Sequence, residues 1–459
     1  QMACYKGSTF TFDFAASSID VNDYTVTETL ASGAKVISNP ISVQILGAQT
    51  KITFNSDKVY NDSTFNSEVS SQISIKLDDI LTGISANDYK YDYSQLGETW
   101  SAPRIFRMPL NSTGILEEDK YVAVMGGGHD SSKLFIINLE DGTIAGSKEN
   151  KGPISIIDID GNEISNGLVN APVVITPDTA PGIPWRGAMV YVNDLEGKVT
   201  KINLTDMTET KAGLRTELYD STVIFETLST STNGRYMFHS MDSAIGTTSK
   251  NLWLYAGTGD YERVTTKNNN IDNLLIGFRD KDFPYYEDVS EIYSPLSLFA
   301  CQDTTDDGTG IKCPLDSNEE VVIRGFGPVT KDVGWFIKLE NSQKVVAEPT
   351  VTRGVAYFPI YEPTTSLNQC DPGKAFVCAV DDECGTNYSS RLGTNDAANR
   401  NQQCLYVGSG VLSKLVAFGN KLFANIAGKS TQDKTDLVQL NSIQEDVEAM
   451  RSSWREGNF

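Results

Sequence analysis

The chain is written in short runs of strand size. Stretches such as "KYVAVMGGG", "KLFIINLEDGTI", "GAMVYVNDLEGKVTKINL", "NLWLYAGTGDY", "VAEPTVTRGVAYFPIY" and "KLVAFGNKLFANIAG" are rich in β-branched and aromatic residues, with Gly, Asn and Asp turns between them. The turns "NLEDGT", "DLEGK" and "AFGNK" require positive φ, which Gly and Asn adopt at little cost. Helical periodicity is weak, and "SIQEDVEAMRSSW" near the C-terminus is the best helix candidate. Two hairpins, "LFIINLEDGTIAG" and "MVYVNDLEGKVTKINL", share one design: a run that reads as buried strand, an acidic turn with Gly, then an alternating strand. "LYAGTGDY" and "LYVGSGV" are also alike. Four-stranded units recurring at roughly 40–50 residues are how a propeller reads in sequence. The period here is irregular, and the pattern predicts an all-β chain that reads as a β-propeller preceded by a small β-rich N-terminal segment. That segment, with "STFTFDF", "ISVQIL" and "TKITFNS", is rich in Ser, Thr and Asn and has no propeller turn. The boundary is placed near "NDYKYDYSQLG", giving a segment of residues 1–90 and a propeller of residues 91–459.

Charge narrows the partners. The chain has 459 residues, with 38 Lys and Arg against 60 Asp and Glu, a net charge of -22. Such a surface repels nucleic acid and anionic lipid, so neither is expected as a direct partner. No apolar run is long enough to span a bilayer, so no direct membrane insertion is expected. The chain opens on "QMACYKG", which reads as a processed piece whose export signal would lie upstream.

Seven Cys set the compartment: Cys4, Cys301, Cys313, Cys370, Cys378, Cys384 and Cys404. No CxxC occurs and His partners are lacking, so disulfides in an oxidising compartment are the better reading than zinc. Cys301–Cys313, bracketing a short polar loop, is the favoured pair. Cys370, Cys378, Cys384 and Cys404 allow three connectivities. With only His129 and His239 present, the usual general base and transition-metal ligand are scarce. "GGGHD" lacks the Lys of a phosphate loop, and His129 there reads as part of a turn after a strand. His239, in the aromatic run "YMFHSMDS", reads as a core or edge histidine.

From about Leu96 onward the chain resembles the C-terminal domain of the PilY-like type IV pilus tip adhesins. "LGETWSAPRIFRM" is similar to that family's Gly-x-x-Trp-Ser-x-Pro opening, and "YVAVMGGGHDSSKLFIINLEDG" to its strand, glycine turn and next strand. "MVYVNDLEGKVTKINL" follows its Tyr-x-x-Asp-Leu-x-Gly pattern, "LYAGTGDY" its Gly-Thr-Gly-x-Tyr, and "RSSWRE" its closing Ser-Trp-Arg-Glu. Each fragment is short, and it is their order along the chain that carries the resemblance. The resemblance implies a modified β-propeller at the pilus tip, extracellular and exported through the periplasm. It implies a non-enzymatic adhesin and assembly factor whose partners are minor pilins, or the pilus tip complex, and a host or abiotic surface ligand.

The resemblance also implies calcium (Ca2+) as a cofactor. The family's calcium loop would fall at "ITPDTAPGIPWRGAMVYVND", where Asp178 is the remaining loop carboxylate and Trp185 and Arg186 follow. One carboxylate does not meet a need for six to eight oxygens. An apolar or Arg186-mediated loop is the replacement, and Trp185 with Arg186 is a candidate ligand-binding pair. The residues themselves offer two further metal candidates. In "DTTDDGTG", Asp303, Thr305 and Asp307 hold the first, third and fifth places of a calcium loop and Gly308 the sixth, but Pro314 stands where a bidentate Glu belongs. The alternative there is a solvated acidic loop. In "ISIIDIDGNEIS", Asp158, Asp160 and Asn162 alternate correctly, but Glu163 takes the place of the turn Gly, and a hairpin turn is the better reading. Two other functions compete with the adhesin. A quinoprotein-dehydrogenase-like propeller enzyme needs a catalytic Asp, a calcium ion at the quinone and usually a vicinal Cys pair, and no adjacent Cys pair occurs here. A glycan-binding surface module would use exposed Trp.

Overall fold

The structure is a computed structural model. It describes residues 93–109, 119–145, 152–156, 166–177, 182–246, 249–288, 292–300, 333–364, 372–383, 385, 388–389, 392, 404–427 and 437–443, with isolated strand segments before residue 73 and at 302–303 and 311–312. The chain forms two compact units, residues 1–89 and 90–459.

In the first unit, β1 (Thr9–Phe12), β2 (Val26–Thr29), β3 (Lys35–Ser38), β4 (Ile41–Leu46), β5 (Gln49–Phe54) and β6 (Ser70–Gln72) form two three-stranded antiparallel sheets, ordered β1-β5-β4 and β3-β2-β6.

The second unit is a series of blades. Blade 1 is β7 (Arg104–Met108), β8 (Lys120–Gly126), β9 (Lys133–Asn138) and β10 (Ile154–Ser155), each hydrogen-bonded to the next. Blade 2 is β11 (Val173–Ile175), β12 (Gly187–Asn193), β13 (Lys198–Thr205) and β14 (Ser221–Glu226), in the same antiparallel order. Blade 3 takes β15 (Asp242–Ile245), β16 (Leu252–Gly257) and β17 (Leu274–Asp280), and adds β18 (Phe299–Ala300), whose residues pair in parallel with Trp335 and Phe336. The hairpin of β19 (Gln302–Asp303) and β20 (Ile311–Lys312) follows, and β21 (Gly334–Lys338) completes blade 3 in the order β15-β16-β17-β21-β18. Blade 4 has β22 (Lys344–Val345), β23 (Thr350–Thr352), β24 (Val355–Glu362), β25 (Lys374–Asp381) and β26 (Leu405–Ser409). Blade 5 has β27 (Val411–Leu412), β28 (Val416–Phe418), β29 (Lys421–Ala427) and β30 (Leu437–Asn441).

Period-2 alternation explains how the blades stack. Successive side chains of a strand point to opposite faces. In β12, Ala188, Val190 and Val192 join a core with Phe106, Val122, Val124 and Ile136 of blade 1, whereas Met189 and Tyr191 join a core with Leu254, Leu274 and Phe278 of blade 3. Tyr255 and Trp335 then pack on Phe358 and Val380 of blade 4, and Tyr357 and Val377 on Leu422 and Ile426 of blade 5. Consecutive sheets thus bury each other face to face, which is the packing of a modified β-propeller. Pro359 sits within β24 without breaking it, because β22 pairs with residues 360–361 and β23 with residues 355–357, and Pro359 falls between.

Cys378 and Cys404 form a disulfide. Val377 and Leu405 are partners across the β25–β26 ladder, which sets Cys378 and Cys404 opposite one another at disulfide reach. This resolves one of the three connectivities left open by the sequence. Cys4, Cys301, Cys313, Cys370 and Cys384 lie outside the described residues, as does the C-terminal helix candidate.

Candidate functional site

The β12–β13 hairpin buries a run of polar side chains: Asn193, Asp194, Glu196, Lys198, Thr200 and Lys201. The turn Asp194-Leu195-Glu196-Gly197 is itself buried, which hairpin turns seldom are. Gly197 has φ +83°, and a Cβ there would strike Thr227 and the Arg235 carbonyl, so the "DLEGK" Gly is required by both conformation and space. The turn is held on both sides: Leu195 N donates to Gly167 O, and Thr227 N donates to Gly197 O.

Two lysines of β13 point to opposite faces. Lys201 is turned to blade 3, where its Nζ lies 2.5 Å from Asp280 Oδ2 and donates to Tyr285 O at 2.7 Å. Tyr191 OH donates to the same Asp280 oxygen at 2.6 Å. Burial, then the Asp280 charge and hydrogen bond, push the Tyr191 hydroxyl well above its ordinary pKa, so it stays a donor. Lys198 is turned the other way, and its Nζ donates to Glu196 Oε2. Asn166 Nδ2 bridges Glu196 Oε2 at 2.5 Å and Asp194 Oδ2 at 3.0 Å, while Lys198 N donates to Asp194 Oδ1 at 2.9 Å. Glu226 lies across the ladder from Lys198. Burial pushes the Asp194 carboxyl up to about 6.

A second knot ties blade 2 to blade 3. Asn170 Nδ2 donates to Asn193 O and Met237 O, and Asn193 Nδ2 to His239 O at 3.0 Å. His239 meets Tyr261 edge-on at 5.1 Å, and burial pushes its imidazole down to about 4. It is a half-buried histidine at the joint between blades 2 and 3. His129, by contrast, is partly exposed. Its Nδ1 lies 2.7 Å from Asp130 Oδ1 and its Nε2 3.1 Å from Glu262 Oε1. The Asp130 hydrogen bond leads in raising its pKa, with Glu262 and Glu98 contributing.

In the loop before β12, Trp185 and Arg186 both make contacts within the chain. Trp185 is buried in the core between blades 2 and 3, with Nε1 donating to Pro284 O at 2.6 Å. Trp335 is likewise buried, so neither ring offers a face to a sugar, whereas Trp100 is 67% exposed. Arg186 donates through Nε to Asp206 at 2.9 Å and through Nη1 to both oxygens of Asp119 at 2.8 and 3.0 Å. The side chain that the sequence marks for ligand contact is committed to two carboxylates of its own chain. Of the calcium candidates, Asp158, Asp160, Asn162, Asp178, Thr305 and Asp307 lie outside the described residues. Asp303 lies in β19, with its side chain outside that description. Among the described residues no group of three or more His, Cys, Asp or Glu is arranged to hold a metal ion.

Sequence reasoning missed the Asp194–Glu196–Lys198–Asn166 cluster. A signal existed: "NDLEGK" packs four ionisable or amide side chains into a turn between two strands that read as fully buried.

The class of protein defined by these blades is an all-β modified propeller. No family model and no curated protein matches the sequence. Among solved structures, the C-terminal domain of PilY1 from Pseudomonas aeruginosa is similar at 14% identity, over 95% of this chain and 92% of that one, with a TM-score of 0.48. BamB from Moraxella catarrhalis is similar at 12% identity over 70% of this chain and 82% of its own, with a TM-score of 0.23. An apocarotenoid oxygenase from Synechocystis is similar at 9% identity over 95% and 80%, with a TM-score of 0.27. No residue role is transferred at these identities.

Proposed function

We propose that this chain is a pilus-associated propeller module, an extracellular, non-enzymatic adhesin and assembly factor of the type IV pilus tip that docks on minor pilins and on a surface ligand. The observation that supports this is where the PilY-like sequence pattern falls. Its pieces occur in the family's order, and three of them hold polar contacts in blades 1, 2 and 3 in turn. The Trp-Ser-x-Pro opening closes blade 1: Thr99 Oγ1 donates to Gly126 O at 2.8 Å, and Gly126 N donates to Ser101 Oγ at 2.9 Å. The Tyr-x-x-Asp-Leu-x-Gly stretch is the buried turn of blade 2, anchored on Gly167 and Thr227. In the Gly-Thr-Gly of blade 3, Thr258 Oγ1 bonds Asn273 Oδ1 and accepts from Leu274 N, and Val345 N of blade 4 donates to Thr258 O. These polar groups tie strands and turns within blades 1, 2 and 3, and the Val345 N to Thr258 O bond joins blade 3 to blade 4, which suits a load-bearing scaffold.

The test is capture of purified minor pilin subunits by the immobilised full chain. Saturable binding of a pilin supports the proposal. A chain that binds none, in cells whose pili assemble and attach normally without it, overturns it.

A further inference from the structure

We propose that Lys198 and Asn166 become joined by an autocatalytic isopeptide bond, with Glu196 as the proton carrier. The observation is one of placement. The Lys198 amine and the Asn166 amide both hydrogen-bond a single atom, Glu196 Oε2, so nucleophile and electrophile sit one carboxylate oxygen apart. All three side chains are buried: Lys198 is 1% exposed, Glu196 3% and Asn166 9%. Leu168, in the core shared with blade 1, and Leu195, between Asp194 and Glu196 in the turn, are buried as well. Amines are poor nucleophiles in water because they are protonated, and amides are poor electrophiles. A buried lysine–carboxylate pair changes the first term, because low dielectric favours the neutral amine and carboxylic acid over the ion pair. Fixed proximity changes the second, since effective molarities in aligned intramolecular reactions are on the order of 10⁵ M or more. Exclusion of water suppresses the competing hydrolysis.

The step balances without a co-reactant. Lys198 Nζ passes a proton to Glu196 and adds to Asn166 Cγ, forming the new C–N bond. Glu196 delivers that first proton to Asn166 Nδ2 and then takes the second proton of the attacking nitrogen, which it keeps. The Cγ–Nδ2 bond then breaks, ammonia leaves, and Nζ keeps one hydrogen as a secondary amide. Asp194, whose Oδ2 accepts from the departing Nδ2, is placed to hold that nitrogen as it leaves. Its carboxyl, pushed up to about 6 by burial, is also able to donate a proton near neutrality. The product ties the segment leading into β11 to the β12–β13 hairpin by a covalent bond on the face of blade 2 turned to blade 1. The inference is independent of the pilus assignment.

The test is the intact mass of the full chain after reduction and denaturation. The expected mass is lower than the sequence mass by one ammonia. A branched tryptic peptide should contain Asn166 and Lys198, with no cleavage after Lys198. Glu196→Ala and Lys198→Arg should restore the full mass, and Asn166→Asp should convert the loss to one water. A wild-type chain of unreduced mass, with the Asn166 and Lys198 peptides recovered separately, overturns the proposal, as does a loss of water mapped to Asp194. Because the deciding measurement is made on the unaltered protein, a variant that fails to fold does not obscure it.

Discussion

Blade 2 and blade 5 are composed of similar runs, yet they bury them differently. In blade 2 every residue of β12 and β13 is buried. In blade 5, β28 is exposed throughout, β30 alternates between exposed and half-buried, and Phe418 is 78% exposed. The difference lies in neighbours. Blade 2 is packed between blades 1 and 3, whereas among the described residues the core of blade 5 is shared with blade 4 alone. Covering both faces forces polar side chains inside as well, and each must then find a partner. Lys201 finds Asp280, and Lys198 finds Glu196. Lys421 of blade 5 bonds Asn441 in the open at 2.5 Å, where water would serve as well.

The contrast can be broken most forcefully at the buried pair. Asp280→Ala leaves Lys201 and Tyr191 without their shared acceptor, with an expected loss of about 3–5 kcal/mol in urea denaturation. Lys421→Ala should leave the midpoint where it was. Next comes the clamp of blade 4. Cys378→Ser with Cys404→Ser removes a link spanning 26 residues, worth about 3 kcal/mol by loop closure, read as a lower Tm relative to the oxidised parent. Below that, Ile202→Val in blade 2 should cost about 0.5–1.5 kcal/mol, while Phe418→Ser in blade 5 should stay within about 0.5 kcal/mol. If the two prove equal, an unseen partner covers blade 5 and the comparison fails.

The smallest effect is a pH dependence with two opposite signs. His129 has a raised pKa in the folded chain, so its contribution is present below the ordinary value of ~6.5 and is lost as pH rises through the folded value. His239 is held down to about 4, so its contribution is present above that ordinary value and is lost as pH falls toward about 4. With only two histidines in the chain, their imidazole resonances should titrate on opposite sides of the ordinary value. Glu262→Gln should lower the His129 midpoint and leave His239 unmoved. Coincident titrations would show that the two environments are alike.

Much of the fold was legible in the residues. The apolar runs at β8, β9, β12, β13, β16 and β24 are strands, and the glycine turns between them hold the positive φ that the sequence requires, as at Gly142, Gly197 and Gly419. Trp185 and Arg186 were legible as unusual but not as what they are. Their neighbours, Pro284 at one end and Asp119 and Asp206 at the other, are distant in sequence or lie across a turn, and no local pattern announces them. The same holds for Lys201, whose partner Asp280 lies in the next blade.

By itself the sequence determined the strand content, the turns, the acidic surface and the order of the hairpin units, because these rest on backbone conformation and on the period-2 alternation of side chains within single strands. Only the tertiary structure decided which strands are covered on both faces, which cysteines meet, which carboxylate answers each buried lysine, and that Asn166, Glu196 and Lys198 share one enclosure. Those outcomes depend on stacking one sheet on another, and the contacts made by stacking join residues whose separation along the chain carries no local signal.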